Sequence, residues 1–299
     1  MIDAGRVPQL TFREVVSDYV ALTKPRIMSL LLVTALTGAV LAANGMPPVV
    51  LLVSVLLGGA MASGGASALN HWFEIDVDRR MGRTKQRPVA MGRIPPRNAL
   101  YFGLALNAGA FVVLALGANV LAAGLAMVGT LLYFFLYTVW LKRSTTHNIV
   151  IGGAAGAMPP LVGWAAVTGT LDLPAWYLFA IIFFWTPPHF WALAIMIKDD
   201  YARADIPMLP VIEGEARTRV SIMLYSLLLS ALSVLFVTAT PALGTIYVAG
   251  ASVLSLILIW YAFKLLRIKT RNAAWALYRF SLLYLALLFL FVMVDGSIA

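Results

Sequence analysis

Asn70, Glu74 and Asp78 stand four residues apart in the run Asn70-His71-Trp72-Phe73-Glu74-Ile75-Asp76-Val77-Asp78-Arg79-Arg80, at the end of a long apolar stretch. A 3.6-residue period turns that spacing by only about 40° per step, so the three oxygen-bearing side chains form one polar stripe along roughly 12 Å of helix. Hard divalent cations favour such oxygens. Mg²⁺ takes one or two carboxylates and leaves its remaining positions to water and phosphate. Arg79, Arg80, Arg83, Lys85 and Arg87 follow at once, cations suited to gripping phosphate oxygens. Together these residues suit a metal-bridged diphosphate. The plainer explanation, interfacial charges balancing a basic loop, is preferred for Arg93 and Arg97. It accounts less well for Asn70 and Glu74, which sit on the membrane side of the charged run, where an unpaired carboxylate is costly. Asp76 lies about 160° from Asp78 around the helix, off the stripe.

A second acidic group, Lys198-Asp199-Asp200-Tyr201-Ala202-Arg203-Ala204-Asp205, closes a later apolar stretch. Two facing carboxylate sets would hold two or more Mg²⁺ ions around one diphosphate; a solvated loop is the alternative. Of the three histidines, His189 follows Pro187-Pro188 inside an apolar stretch, roughly 13 Å from its end. Either a haem iron accepts its imidazole or the ring satisfies carbonyls released at a proline break. His71 is a second candidate haem ligand, and His147 reads as interfacial. None has the spacing of a zinc site. Trp72, Phe73, Tyr137, Trp185, Phe190 and Trp191 could line a site for a carbocation through cation–π contacts, with ordinary core or lipid-facing packing as the alternative.

The elements that must position these groups are membrane-spanning. The chain has 299 residues, 61% of them hydrophobic and 12% charged, which leaves no composition for a soluble domain. Apolar windows near 27–44, 48–73, 99–116, 119–141, 147–168, 174–198, 220–240, 243–263 and 277–295 are each long enough to cross about 30 Å of hydrocarbon. The expected fold is all-α, a polytopic membrane protein of about nine helices, with residues 1–26 as a preceding segment and 27–299 as one domain. All 22 Lys and Arg fall in alternate gaps, which places the N-terminus and the basic loops in the cytoplasm and the C-terminus outside. The net charge of +9 is thereby explained by orientation, so no nucleic-acid partner is expected. Residues 1–26 resemble neither a secretory signal nor a transit peptide, and a bacterial cell (inner) membrane is the expected location. Zero Cys excludes disulfides, thiolate metal sites and a cysteine nucleophile.

The run Asn70-x-x-x-Glu74-x-x-x-Asp78-Arg79-Arg80-Met81-x-Arg83-Thr84-x-x-Arg87-Pro88 resembles the signature of the UbiA superfamily of intramembrane prenyltransferases. So do Tyr137-Thr138-x-x-Leu141-Lys142-Arg143, Gly152-Gly153-x-x-Gly156-Ala157-x-Pro159-Pro160, Trp185-x-x-Pro188-His189-Phe190 and Lys198-Asp199-Asp200-Tyr201 followed by Ile206-Pro207-Met208-Leu209-Pro210. Relatives with aromatic acceptors carry an Asp where this chain has His71, which favours the branch acting on haem. Glu74 replaces an Asp common in the superfamily, and a regular Asp-x-x-x-Asp is missing from the second cluster.

The resemblance implies transfer of the farnesyl group of farnesyl diphosphate to the vinyl group of haem B, giving haem O and diphosphate. It further implies Mg²⁺ held by Asn70, Glu74, Asp78, Asp199 and Asp200, the same residues being catalytic. Arg79, Arg83, Lys85, Arg87, Tyr137, Lys142, His71 and His189 would bind substrate, and a downstream haem O oxidase would be a partner. One rival is a related prenyltransferase acting on a quinone-precursor or chlorophyll-like acceptor. The other is a cation-coupled transporter, whose polar residues should approach mid-membrane from both sides instead of clustering at one interface.

Overall fold

Lipid offers peptide groups no hydrogen-bond partner, so a chain this apolar crosses it as helix or closed barrel. The computed structural model describes residues 11–298, within which the chain is helical; Asp3 and Arg6 lie outside the described residues. A short helix, α1 (Phe12–Leu22), precedes α2 (Pro25–Ala43) and α3 (Val49–Phe73). The six-residue α4 (Ile75–Arg80) follows, then α5 (Pro96–Gly117) and α6 (Val120–Leu131). α6 runs on through a π-helical segment, Leu132–Leu141, into the single turn α7 (Lys142–Ser144). Next come α8 (Asn148–Thr168), α9 (Leu173–Met196), the short α10 (Lys198–Arg203) and α11 (Leu209–Ile212), α12 (Gly214–Leu235), α13 (Thr245–Ile268) and α14 (Arg271–Ile298). Among the described residues nine spans are long and apolar enough to cross a membrane: α2, α3, α5, α6 with its continuation to Ser144, α8, α9, α12 with its continuation to Ala239, α13 and α14.

Two spans start earlier than the hydropathy windows place them, at Gly214 and Arg271. The windows leave out the turns that carry Arg217, Arg219 and Arg271, whereas the helices continue through them, because long basic side chains reach the interface while their stems stay on apolar surface. The paired prolines Pro159-Pro160 and Pro187-Pro188 do not break their helices; α8 and α9 run through both, as neighbouring helices in a bundle permit.

Helices consecutive in the chain pack mostly on one another, and α14 returns to α2, so that α2, α8, α9 and α14 each lean on the next and close a ring. α2 and α8 meet backbone to backbone. A Cβ on Gly163 would lie 2.8 Å from the Ala35 carbonyl carbon and 3.0 Å from the Ala39 nitrogen, and one on Gly38 3.0 Å from the Pro160 carbonyl carbon. Small residues permit this approach where the hydrophobic effect between helices is absent.

The basic loops gather on one face, as alternate charging requires. Arg143 from the end of the fourth span pairs with Asp76 after the second at 2.9 Å, and Arg80 pairs with Asp205 after the sixth at 2.7 Å. Arg93 donates Nε and Nη2 to the two oxygens of Asp18, both at 2.8 Å, tying α1 to the loop before α5. On the opposite face, Asp295 accepts from the amides of Gly244 and Tyr247, both at 2.8 Å, and so caps α13.

Candidate active site

The predicted stripe forms, with a joint in it. α3 ends at Phe73, Glu74 occupies the junction (φ −94°, ψ 20°), and α4 begins at Ile75. The backbone bonds from Glu74 N to Asn70 O, 3.0 Å, and from Asp78 N to Glu74 O, 2.8 Å, carry helical spacing across it. Asn70, Glu74 and Asp78 are only 1–2% exposed, and each is answered by a cation. Lys24 donates to Asn70 Oδ1 at 3.0 Å. Lys142 reaches both Glu74 oxygens at 2.5 and 2.6 Å, and Arg87 reaches both Asp78 oxygens at 2.8 and 2.9 Å. Burial opposes the charge on Glu74, yet Lys142, aided by Asn70, holds its carboxyl below the usual glutamate range. At Asp78 burial wins, and the carboxyl stays above the usual aspartate range in spite of Arg87.

Lys142 owes its position to the π-helical segment. At the 100° per residue of an α-helix it would point about 180° away from Tyr133. The i→i+5 bonding of a π-helix widens the turn, and it brings Tyr133, Tyr137, Thr138 and Lys142 round to the stripe. Thr138 Oγ1 accepts from Asn70 Nδ2 at 3.2 Å, and the rings of Tyr133 and Tyr137 stack with centroids 5.8 Å apart. Gly152 of α8 makes room for Tyr137: a Cβ there would sit 3.0 Å from the ring's Cγ and 3.2 Å from its Cβ.

The other predicted residues divide. Arg83 and Lys85 are exposed in the loop after α4, and Arg79 donates to the Ala90 carbonyl at 3.0 Å. Asp200 lies beside this loop, its carboxylate 3.5 Å from where a Gly82 Cβ would stand, and it pairs with Arg203. Asp199 is exposed and lines a different groove, with Lys198, Glu215, Arg219 and Lys269. His71 is 2% exposed and neither ring nitrogen has a partner among the described residues. His189 faces α14, bonded through Nδ1 to Ser281 Oγ at 2.7 Å; the contact is to a neighbouring helix and not to carbonyls freed by the prolines. His147 is exposed before α8. Of the aromatic candidates, Tyr137 is at the stripe. Trp72 and Phe73 pack on Phe134, Trp185 stacks on His189, Phe190 packs in the core and Trp191 meets Tyr225 edge-on.

The family model for the UbiA prenyltransferase family matches residues 31–290. The chain belongs to the UbiA prenyltransferase family. It is 53% identical over 281 residues to a protein of Thermus thermophilus named protoheme IX farnesyltransferase, covering 94% of this chain and 46% of that one. A protein of the same name from Symbiobacterium thermophilum is 50% identical over 94% of this chain and 95% of its own length. The chain spans about half the length of several relatives it matches. A solved UbiA homolog from Aeropyrum pernix K1 superposes with TM-score 0.70 at 20% identity, over 92% of this chain and 97% of that one. A UbiA homolog from Archaeoglobus fulgidus, solved bound to DMAPP and Mg²⁺, gives TM-score 0.65 at 16% identity, over 93% and 99%. These two show the fold.

Two buried carboxylates and an amide oxygen on successive turns are the hard donors Mg²⁺ prefers, and one or two carboxylates suffice when phosphate supplies the rest. Among the described residues no three Asp, Glu, His or Cys come together as a ready cage. Lys24 and Tyr133 escaped the sequence reasoning. Lys24 counts there only as a topological charge, but it adopts φ 50° and ψ 61° at the α1–α2 joint, a left-handed conformation uncommon outside glycine, and so reaches Asn70, with the Tyr133 hydroxyl at 3.5 Å. The one signal was a lysine directly before Pro25 at the mouth of the first span. Buried Tyr201 was visible only as part of a motif.

Proposed function

We propose that this chain transfers the farnesyl group of farnesyl diphosphate to the vinyl group of haem B, releasing diphosphate and forming haem O. The observation that supports it is the buried Asn70–Glu74–Asp78 stripe, whose amide oxygen is met by Lys24 and whose two carboxylates pair with Lys142 and Arg87, at the charged end of an apolar helix ring. Such a place takes a diphosphate at its mouth and a prenyl chain in its interior. The haem acceptor is supported by the name shared by relatives about 50% identical.

In the reaction the C1–O bond of farnesyl diphosphate breaks and its electron pair leaves with the diphosphate. The terminal vinyl carbon of the haem then forms the new C–C bond, and water adds to the resulting cation beside the macrocycle with loss of one proton. Lys24, Lys142 and Arg87, released from Asn70, Glu74 and Asp78 when a diphosphate enters, turn to its oxygens. Their charges act in a site closed to water, where they count for more than in solvent. Arg83 and Lys85 extend the same grip from the loop. Tyr133, Tyr137 and Tyr201 present ring faces to the allylic cation and exclude water until the C–C bond has formed.

Asn70, Glu74 and Asp78 would hold Mg²⁺, with Asp200 approaching from the second cluster. When bound, Mg²⁺ neutralises charge on the departing diphosphate. The UbiA homologs solved with DMAPP or GPP and Mg²⁺ support this assignment. The alternation of Lys and Arg supports a cytoplasmic basic face in a bacterial cell membrane, and a haem O product would supply a downstream haem O oxidase.

The test is an acceptor competition. Purified protein receives farnesyl diphosphate and Mg²⁺ with haem B, 4-hydroxybenzoate and a chlorophyllide together. Prenylated haem as the dominant product supports the proposal, whereas a prenylated phenol or chlorin with unmodified haem overturns it.

A further inference from the structure

Ser281 of α14 decides which nitrogen of His189 carries its proton. The serine hydroxyl has one hydrogen, and it is committed to the Tyr278 carbonyl at 2.7 Å, an oxygen that can only accept. The 2.7 Å contact between Ser281 Oγ and His189 Nδ1 therefore has Nδ1–H as donor. The lone pair of the neutral ring then sits on Nε2. That atom has no hydrogen-bond partner among the described residues.

The ring is also held in plane. Trp185, one turn earlier on α9, stacks on one face with centroids 4.3 Å apart at 15°, and Tyr278 stacks at 4.7 Å and 23°. Trp185 is anchored in turn by its Nε1–H to the Ser281 carbonyl at 2.7 Å. A histidine whose one nitrogen donates to a fixed acceptor, whose plane is clamped and whose other nitrogen is bare has the arrangement of a metal-ligating imidazole. The position, seven residues before the end of α9, lies about 10 Å in from the charged face.

We infer that Nε2 of His189 is the axial ligand to the iron of the haem acceptor, with Ser281, Trp185 and Tyr278 as positioning residues that set its tautomer and plane. The inference rests on the haem reading of the function. Iron ligation fixes the macrocycle perpendicular to the clamped imidazole and limits the acceptor to rotation about one bond, so that a vinyl edge is offered repeatedly at one place. It also separates haem from planar acceptors that lack a ligand-accepting metal.

The experiment uses full-length protein in nanodiscs loaded with haem B and reduced. The iron–histidine stretching band is recorded by resonance Raman, and haem O formation is measured on the same preparation. The wild type is expected to show the band and His189→Gly to lose it, with added imidazole restoring it. Ser281→Ala should keep the band at lower frequency and bind haem about tenfold more weakly, the lower end for loss of such a supporting bond. A band that persists in His189→Gly without imidazole, for instance one lost only in His71→Ala, overturns the inference. So does an unshifted band in Ser281→Ala. Wild type that makes haem O with no iron–histidine band overturns the ligand assignment alone. Wild type that neither binds nor prenylates haem, while prenylating another acceptor, overturns the functional reading and the inference with it.

Discussion

Gly152 and Gly156 lie one turn apart on α8, and replacing each by alanine should have opposite consequences. A Cβ at residue 152 would meet Tyr137 at 3.0 Å from Cγ and 3.2 Å from Cβ. Relaxed carbon–carbon contact needs about 3.5–4.0 Å, and the ring's Cδ2 would lie nearer still, so the ring must retreat by about 1 Å or more. Those atoms are at the root of the side chain, and the ring is stacked on Tyr133, so rotation at the tip cannot relieve the contact. A displacement of about 1 Å in a group that shapes the reacting centre costs on the order of 100-fold in rate. A Cβ at residue 156 meets nothing within 4 Å, so Gly156→Ala should leave turnover unchanged and stabilise the helix by up to about 1 kcal/mol. Initial rates of haem O formation, with thermal unfolding as the control for folding, would show Gly152→Ala down by about two orders of magnitude and Gly156→Ala at the wild-type rate. Equal losses in both, or a fully active Gly152→Ala, would refute the placement of Tyr137 at the site.

Lys142→Met should lower stability by about 3–5 kcal/mol, because Glu74 is left as a buried, uncompensated carboxylate; Lys142→Met/Glu74→Gln should recover most of it in reversible unfolding from mixed micelles. Gly163→Ala, which drives a Cβ into the α2 backbone at Ala35 and Ala39, should cost about 1–3 kcal/mol or more, whereas Gly124→Ala, with open space around it, should cost nothing. Asp78, held above the usual aspartate range by burial, should protonate at higher pH in the substrate-free protein than in the unfolded chain. Its raised folded-state value means that the protein gains stability as pH falls through the interval between the unfolded and folded values. Infrared titration should find a carboxyl transition above the usual aspartate range that is absent in Asp78→Asn and present in Glu74→Gln.

The nine spans and the single charged face were legible because both follow from local rules: apolar length and alternation of Lys and Arg. The stripe was legible because a four-residue spacing survives the joint at Glu74. The cations that answer it were not all legible. Lys24 reaches Asn70, 46 residues away, through a left-handed turn that no periodicity announces. Lys142 and Thr138 come round only because ten residues adopt π-helical bonding, which hydropathy cannot distinguish from α-helix. Asp199 and Asp200 are neighbours in sequence, and the short α10 sends one to a separate groove and the other to the Gly82 loop. The clamp on His189 depends on Ser281, 92 residues later, so the sequence alone left the histidine between two roles.

The measurement closest to the central proposal is mass spectrometry of the haems formed by purified protein given haem B, farnesyl diphosphate and Mg²⁺, with Glu74→Gln/Asp78→Asn alongside. The account predicts haem O from the parent and none from the well-folded double variant. Haem O from both would contradict the assignment of the stripe to the reaction, and haem B recovered unchanged from active parent protein that prenylates another acceptor would contradict the assignment of the substrate.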